Sequence, residues 1–452
     1  MKRFILSALL CFSSLNACSP STQKSDAGTQ LDAGTASTRQ EISADITTAT
    51  TWKKDTTYIL KSLIYVDGAT LTIEAGTTIL GDSGSALIVT KTGKLIAEGT
   101  AAAPIVFSVN APVGMRGLGT ANWGGLMLNG TAAINVAGGD NLAEGVVDNA
   151  KNRYGGGASP NNAHNCGTLK YVRIEFAGQP LSANNELNGL TLNACGSDTI
   201  VDYVQVHRGI DDGIELFGGS VNLKHVVMTG SDDDGLDWDQ GWTGKAQFVV
   251  IQQLPGRGNF GIEADNNRTG QDLMPRSSPI LSNVTLVGRA PDTTNAGEGT
   301  SRGMTFRVGS AGQLHNMVVT NFKDWAMFVD GSSSKTQWDS AALVVKNSLF
   351  FHNATDAWQN VTPAALADGG VAADLVNEAD ALAAPSLNNR QLDPALTDAT
   401  SIASPNFKPT ATSVALTGGV VPADAFFDSS ATFIGAMGST DWTAGWTAYP
   451  EN

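Results

Sequence analysis

The sequence predicts an all-β solenoid, because two kinds of short strand recur along the chain and advance together. Segments of the first kind open with glycine, at Gly125, Gly189, Gly213, Gly235, Gly261 and Gly303. Segments of the second kind are β-branched runs, at 170–176, 202–207, 224–228, 246–251, 283–287, 315–319 and 344–350. Gly213 and Gly235 are 22 residues apart, and so are Tyr203 and His225. Stacked coils of about 22 residues account for both spacings.

Composition supports a folded protein with a sizeable core. The chain has 452 residues, of which 42% are hydrophobic and 16% charged, and it carries a net charge of −15. This excludes wholesale disorder, and the 50 glycines without a triplet period exclude collagen. The acidic balance argues against a nucleic-acid partner, because binding phosphate requires a basic face.

The first 17 residues form a targeting segment. Lys2 and Arg3 precede an apolar run at 4–12, which is too short for a transmembrane helix of about 20 residues. Leu-Asn-Ala-Cys at 15–18 resembles the lipobox of bacterial lipoproteins, in which the cysteine is acylated and becomes the first residue. Asn16 departs from the usual pattern, and an ordinary secretory signal cleaved nearby is the alternative.

Lipidation at Cys18 would anchor the mature chain in a membrane, and that chain would have a charge of −17 once Lys2 and Arg3 are removed. Ser19 replaces the aspartate that resembles an inner-membrane retention signal, which favours the outer membrane, at the cell surface or on the periplasmic face. Residues 18–46 are rich in Ser, Thr, Asp, Gly and Gln and predict a flexible tether. We expect the solenoid at 47–355 and a C-terminal capping region at 356–452, partly helical because 364–384 has helix-forming composition.

Several segments of the chain have a distinctive sequence: the run from Thr70 to Phe107, WGGLMLNG, LKYVRIEFAG, DDGIELFGG, DDDGLDWDQGWTGK and the final IGAMGSTDWTAGWT. Together they resemble the right-handed parallel β-helix of pectin-lyase-like proteins, within a largely uncharacterised group of bacterial surface lipoproteins. The resemblance extends over about 50–450 and implies the fold, but it carries no catalytic motif. A β-sandwich, the alternative, would show unequal strand spacing and no similarity from coil to coil.

Two cysteines of the mature chain occur in similar contexts about one coil apart. Cys166 lies in Asn-Cys-Gly and Cys195 in Ala-Cys-Gly. An exported compartment permits oxidation, and equivalent positions on adjacent coils lie within disulfide reach, so we predict a Cys166–Cys195 bond. Two buried thiols are the alternative. The five histidines form no cluster with cysteine, which argues against a zinc site.

The densest acidic constellation spans three glycine-led segments. Aligned on their glycines, Glu215, Asp237 and Glu263 stack, with Asp212 above Asp234. Carboxylates about 4.8 Å apart repel unless they are protonated or bridged by a cation, and Ca²⁺ suits such a set of oxygens. The predicted metal ligands are Asp211, Asp212, Glu215, Asp233, Asp234, Asp237 and Glu263. The alternative is turn chemistry, in which the aspartates cap backbone amides.

The same acidic ladder also suits glycoside hydrolysis by paired carboxylates. Trp238 and Trp242 would then stack on sugar rings, and His207, Arg208 and Arg257 are weak catalytic candidates. The sequence lacks the Gly-His-Gly and Arg-Ile-Lys signatures of polygalacturonases, so no catalytic residue is assigned.

Three functions remain open from the sequence. The first is a non-catalytic surface lipoprotein, a rigid rod stabilised by calcium that binds a polysaccharide or another envelope protein. The second is a polysaccharide lyase or glycoside hydrolase with a groove that the long inserts around 289–300 form over the acidic ladder. The third is a purely structural envelope protein. Convergence of the acidic side chains and Arg257 on one concave patch would distinguish the first two from the third.

Overall fold

The computed structural model describes residues 38–119, 121–179, 186–289, 300–353 and 382–452. The described residues from 38 onward form one compact unit whose two large sheets consist of parallel strands. Within the described ranges, no helix is long and apolar enough to cross a membrane. The predicted signal peptide, Cys18 and most of the predicted tether lie outside the described residues.

The strands occur throughout the solenoid. The first nine are β1 (Thr38–Ile42), β2 (Thr50–Trp52), β3 (Thr56–Leu60), β4 (Leu63–Val66), β5 (Thr70–Ile73), β6 (Thr78–Gly81), β7 (Ala86–Val89), β8 (Lys94–Glu98) and β9 (Ile105–Val109). The next ten are β10 (Leu126–Asn129), β11 (Asn141–Leu142), β12 (Arg153–Tyr154), β13 (Gly167–Glu175), β14 (Leu190–Asn193), β15 (Ile200–His207), β16 (Ile214–Phe217), β17 (Asn222–Thr229), β18 (Leu236–Asp239) and β19 (Lys245–Gln252). The remainder are β20 (Phe260–Ala264), β21 (Ile280–Val287), β22 (Arg302–Phe306), β23 (Gly312–Thr320), β24 (Trp325–Val329), β25 (Leu343–Lys346), β26 (Leu349–Phe351), β27 (Leu396–Asp398) and β28 (Asn406–Pro409).

Helical structure is sparse in the described ranges. The α-helix α1 spans Gly331–Asp339, and short 3₁₀ turns lie at Ala137–Gly139, Ala150–Asn152, Pro385–Leu387 and Val414–Leu416.

Two parallel sheets form the walls of the solenoid. The nine-stranded sheet has the order β24-β22-β20-β18-β16-β14-β10-β7-β4. The fifteen-stranded sheet follows the path β1-β3-β6-β9-β13-β15-β17-β19-β21-β23-β25, with the other strands paired beside it. Each coil therefore contributes one strand to the short sheet and passes through the long sheet once. This confirms the all-β parallel β-helix.

Glycine opens the short-sheet strands because a side chain there would strike the next coil. A Cβ built on Gly213 would lie 2.6 Å from the carbonyl oxygen of Gly235, and a Cβ on Gly235 would lie 2.8 Å from that of Gly261. The Cβ on Gly235 would also lie 2.3 Å from the Ile251 side chain across the interior. The glycine-led motif in the sequence therefore marks the corner at which the chain enters this sheet.

The interior is a continuous stack of aliphatic side chains. Ile214, Leu236 and Ile262 occupy equivalent positions on β16, β18 and β20, and all three are fully buried. Burial of apolar surface contributes about 25 cal/mol per Å², so a long stack of this kind stabilises the rod without a globular centre.

A bend in each long strand produces a second ladder on the outside of the long sheet. The residue at the bend has a left-handed backbone conformation, with φ between 49° and 61°, at Tyr171, Tyr203, His225, Phe248, Asn283 and Asn316. The first four side chains stack as a column of rings, with successive centroids 4.4, 4.2 and 4.8 Å apart. We call these six residues the bend ladder.

The solenoid begins earlier than the predicted boundary at residue 47. Residues 38–46 belong to the predicted tether, but β1 pairs with β3 in parallel, and Ile46 forms a bridge with Val66 and is buried. The polar side chains of β1 conceal this strand in the sequence, since its four first residues are exposed and only its backbone joins the sheet.

The C-terminal region does not act as a simple end cap. Leu382 is buried in the core beside the last coil, and Arg390 bridges Leu349, so the start of this region does cover the end of the stack. The rest runs back along the outer face of the long sheet. Most of the predicted helical segment at 364–384 lies outside the described residues.

Residues 394–452, the C-terminal strap, are held by side chains that replace backbone partners. Asn316 donates to the carbonyl of Val420 and accepts from its N–H, and Gln205 does the same with Ala448. Trp446 lies edge-on to the rings of Tyr171 and Tyr203, with centroids 5.9 Å from each. The strap thereby covers the bend ladder and the apolar face beside it.

Cys166 and Cys195 form a disulfide between neighbouring coils, as predicted. Their Cα atoms are 5.9 Å apart, the bond closes a loop of 29 residues, and both residues are fully buried. Cross-linking a loop of this length restricts the unfolded chain and stabilises the fold by about 3 kcal/mol.

We predict that Cys166→Ala combined with Cys195→Ala lowers the free energy of unfolding by about 3 kcal/mol in a denaturant titration. The unmodified exported protein should resist thiol alkylation until it is both reduced and unfolded. Alkylation of both cysteines in the native, unreduced protein would contradict the bond.

Candidate functional site

The outward face of the short sheet carries three carboxylates in register. Glu215 on β16 pairs with Asp237 on β18, and Asp237 pairs with Glu263 on β20. Parallel register places equivalent side chains about 4.8 Å apart, the spacing of neighbouring strands. The predicted stack of Glu215, Asp237 and Glu263 is therefore present.

The turns that precede these strands supply two more carboxylates with a structural task. Asp212 Oδ1 accepts a hydrogen bond from the backbone N–H of Asp234 at 2.8 Å. Asp234 Oδ1 in turn accepts one from the N–H of Phe260 at 2.5 Å. Each aspartate thus caps a backbone N–H of the next coil, as the turn-chemistry alternative predicted. The same two side chains also belong to the groups of carboxylates described next.

The carboxylates converge into three overlapping triads. Within each triad one oxygen per residue lies within 4.8 Å of the others: Asp211, Asp212 and Asp233; Asp212, Glu215 and Asp237; and Asp234, Asp237 and Glu263. The middle triad is buried in all three members, whereas Asp233 is exposed and Asp211 is half-buried. We call these seven residues the acidic cluster.

Inserted loops bring further groups onto the cluster. Glu144 comes from the long insert between β10 and β13, and it interacts with Glu215 and with Glu186. Asn188, just before β14, donates a hydrogen bond from Nδ2 to Glu215 Oε2. Glu144 and Glu186 increase the negative charge around Glu215, whereas Asn188 contributes a neutral donor.

Two arginines neutralise one side of the cluster. Arg307 contacts Glu263 and donates two hydrogen bonds to Asp265, at 2.9 and 3.0 Å. Arg268, which is largely exposed, lies 3.1 Å from Asp265 and 3.6 Å from Glu263. Although burial opposes the charged form, these carboxylates hold the pKa of Arg307 above its usual value. The positive charges of the two arginines therefore offset the negative charges of Glu263 and Asp265.

Burial raises the pKa of every carboxyl group in the cluster, and repulsion from neighbouring carboxylates adds to this at every member except Asp233. For Asp212, Glu215, Asp234 and Asp237 burial is the first cause and neighbouring carboxylates are the second, and each pKa lies well above its ordinary value. Burial also raises the pKa of Glu263 to about 8, although Arg307 opposes this, and burial with the charge of Asp233 raises that of Asp211 to about 7. At neutral pH these groups require either protons or a cation.

Asp237 is the residue that points to a ligand. Its side chain is about nine-tenths buried, and Oδ1 has no hydrogen-bond partner among the described residues. Leaving a buried carboxylate oxygen unpaired is costly, and Asp237 belongs to two of the three triads. An oxygen-rich site with tolerant geometry suits Ca²⁺, which takes six to eight oxygen ligands at about 2.3–2.6 Å.

The prediction that Trp238 and Trp242 stack on a ligand is wrong. Both are fully buried, and their indole N–H groups are satisfied at 3.0 Å by Ser310 Oγ and the Val221 carbonyl. Trp238 alternates with Asp237 along β18, so its side chain faces the interior. Both tryptophans are core residues.

The three weak catalytic candidates do not join the acidic cluster at its centre. His207 is buried beneath the strap, between Thr229 Oγ1 and the Pro450 carbonyl at 2.6 and 2.9 Å. Burial lowers its pKa to about 3, so it is neutral at physiological pH. Arg257 forms an ion pair with Asp232 at 2.7 Å. Burial and the nearby positive charge of Arg257 lower the pKa of Arg208.

Sequence reasoning missed the residues that complete the site. Glu144 precedes Glu215 by 71 residues, on an insert that no coil-to-coil alignment reaches. Arg307 follows β22 directly, beyond the glycine-led segment that begins at Gly303, and it carries no motif of its own. Asp265 follows Ala264, two residues after Glu263, and could have been found by extending the alignment.

Comparison with known proteins agrees with the fold. A family model described as a pectate-lyase-like beta helix domain matches residues 44–393, more than three quarters of the chain. No curated protein and no solved structure matches the chain significantly.

The raised pKa values of the acidic cluster predict how the melting temperature depends on pH. The folded state holds protons up to about pH 7–8 on groups that ionise near pH 4 when unfolded. Without a cation, the melting temperature should therefore fall as the pH rises from about 5 to 8. Asp237→Asn should flatten this fall, whereas Asp198→Asn, an exposed change of equal charge, should not. A profile that rises over this interval in the presence of chelator would contradict the assignment.

Proposed function

The chain belongs to the family of pectate-lyase-like β-helix domains, and we propose that it is a non-catalytic surface lipoprotein of the outer membrane. In this proposal a lipid on Cys18 anchors a rigid β-helical rod, and Ca²⁺ stabilises the rod by binding at the acidic cluster. The unpartnered, buried oxygen of Asp237 carries the cation part of the proposal. The lipobox-like residues 15–18 carry the anchor.

The electrostatics of the cluster support a divalent cation. The acidic cluster together with Glu144 and Glu186 comprises nine carboxyl groups, Asp237 included, and the two arginines lie on the Glu263 side. Two unit charges about 5 Å apart repel by roughly 3 kcal/mol at an effective dielectric constant near 20. A cation beside Asp212, Glu215 and Asp237 replaces this repulsion with attraction, and it stabilises the folded state by mass action.

Burial of the cluster supports a non-catalytic role. Asp212, Glu215, Asp237 and Glu263 are each more than nine-tenths covered. A general acid or base must come within about 3 Å of the bond that reacts, which a polymer chain cannot do through that cover. The rod would therefore act through its surface, with a polysaccharide or another envelope protein as its partner.

The second candidate function is a polysaccharide lyase or glycoside hydrolase. Its support is the raised pKa of Glu263, about 8, because a carboxyl group protonated at neutral pH can serve as a general acid. The test is a panel of polysaccharides assayed for new reducing ends and for 4,5-unsaturated products, with and without chelator. Turnover that is lost in Asp237→Asn and retained in Asp198→Asn would favour the enzyme over the binding rod.

We predict that chelation lowers the melting temperature of the purified protein at pH 7.5 and that added Ca²⁺ restores it. At a Ca²⁺ concentration 100 times the dissociation constant, the gain in unfolding free energy is about 2.7 kcal/mol. Asp237→Asn, which keeps the volume of the side chain and removes its charge, should abolish the response. The control Asp198→Asn should retain it.

If no cation binds, neutralising Asp237 only removes repulsion, so the stability of the chelator-treated protein should stay unchanged or rise. A wild-type melting temperature that is indifferent to both calcium and chelator would refute the cation site.

We predict separately that Cys18→Ser releases the protein from the membrane fraction. The thiol of Cys18 is the acylation site, and the multiple acyl chains of a mature lipoprotein anchor a protein stably, whereas serine cannot be acylated in this way. The measurement is the distribution of the protein between membrane pellet and soluble fraction, with Ser19→Ala as the control. Continued membrane association of Cys18→Ser would refute the lipid anchor.

A further inference from the structure

The loop at 111–119, between β9 and β10, exposes three large apolar side chains close together. Val113, Met115 and Leu118 are 78%, 54% and 50% exposed. In the described ranges, no other segment of six residues contains three large apolar side chains that are each more than one third exposed. We call this segment the apolar loop.

The apolar loop is ordered by its own hydrogen bonds. The N–H of Met115 donates to the Pro112 carbonyl at 3.0 Å, and Arg116 Nε donates to the Ala111 carbonyl at 3.2 Å. A Cβ on Gly117 would lie 2.9 Å from the Phe176 ring, so the loop packs closely on the body at this point. Because the backbone is already fixed, the exposed side chains could enter an apolar environment at little cost in conformational entropy.

A side chain of the first strand links the start of the described solenoid to the base of the apolar loop. Arg39, on the first strand, donates a hydrogen bond to Asn110 Oδ1 at 3.0 Å. Asn110 immediately precedes the loop and is itself fixed by a hydrogen bond to Asp82 at 2.6 Å. The chain that leads back to Cys18 therefore joins the folded unit one residue before Arg39, whose side chain contacts the residue at the base of the apolar loop.

The segment between Cys18 and the folded unit sets an upper limit on how far the folded unit can lie from a lipid on Cys18. Cys18 and Thr38 are separated by 20 peptide steps, which reach at most about 70 Å when fully extended. A lipid on Cys18 would hold the apolar loop at a high effective concentration near the bilayer surface. Three side chains that bind a bilayer weakly on their own could then stay docked.

We propose that the apolar loop is a second membrane contact, in which Val113, Met115 and Leu118 enter the bilayer interface and orient the rod on the membrane. The proposal rests on the lipid anchor at Cys18. Neutral lipid is the surface that the loop fits, because its one cation, Arg116, provides little attraction for anionic headgroups and the mature chain carries a charge of −17.

The test places an environment-sensitive fluorophore on the apolar loop of the acylated protein in phosphatidylcholine vesicles. In Val113→Cys the new thiol is the one free for labelling in the acylated protein, since Cys11 is removed with the predicted signal peptide, Cys18 is acylated, and Cys166 and Cys195 form a buried disulfide. The matched control is Val420→Cys, which labels a residue of the strap that is 54% exposed and contacts Asn316 in a late coil.

We expect the label at 113 to shift its emission to shorter wavelength and to resist iodide quenching when vesicles are present, while the label at 420 stays accessible. In Leu118→Cys, the added changes Val113→Ser and Met115→Ser should reduce the protection of the label. These exposed substitutions should leave the melting temperature unchanged.

The outcomes separate this proposal from the lipid anchor. A protein that pellets with vesicles but whose label at 113 remains fully accessible overturns the second contact and leaves the anchor standing. A protein that carries no lipid overturns both. Protection of the label in concentrated protein without lipid would identify a protein partner or a second copy, and would likewise overturn the membrane contact.

Discussion

The structure depends on the register of backbone hydrogen bonding between neighbouring coils. Each short-sheet strand pairs in parallel with the next, so a residue lies directly beside its equivalent one coil away. Parallel pairing leaves the side chains no freedom to choose other neighbours, since a shift by one residue would turn every interior side chain to the outside. Each position along the strand therefore becomes a ladder, and the chemistry of that residue is repeated about every 4.8 Å.

Repetition has opposite consequences for different side chains. Stacked Ile214, Leu236 and Ile262 exclude water together, and the stacked rings of Tyr203 and His225 lie 4.2 Å apart with nearly parallel planes. The same stacking is unfavourable for carboxylates, because each further coil places another negative charge beside the last and the charges repel. The fold supplies the first stacked carboxylate, Glu215, with a neutral donor, Asn188, and the third, Glu263, with Arg307. Asp237, between them, receives neither, which is why the acidic cluster centres on it.

The strap and the disulfide both connect coils that the sheets already join. The strap crosses the long sheet and pairs its backbone with Asn and Gln side chains on the outer face, so these side chains satisfy its amide groups where no strand is available. This arrangement shields the apolar face around Val227 and Val250 with Met437 and Trp446. An exposed sheet face of that size would otherwise invite association with other chains.

The sequence by itself determined the solenoid, the spacing of its coils, the disulfide and the stack of Glu215, Asp237 and Glu263. All of these are consequences of local repetition, because residues equivalent in the repeat become neighbours in space. Only the tertiary structure decided which residues come to the ladder from outside the repeat. Glu144 and Asn188 arrive from loops between strands, and the strap returns to Gln205 from 243 residues away. The inward direction of Trp238, by contrast, follows from the sequence, because Trp238 lies two residues after Leu236 and therefore on the same face of the strand, opposite Asp237 and Asp239.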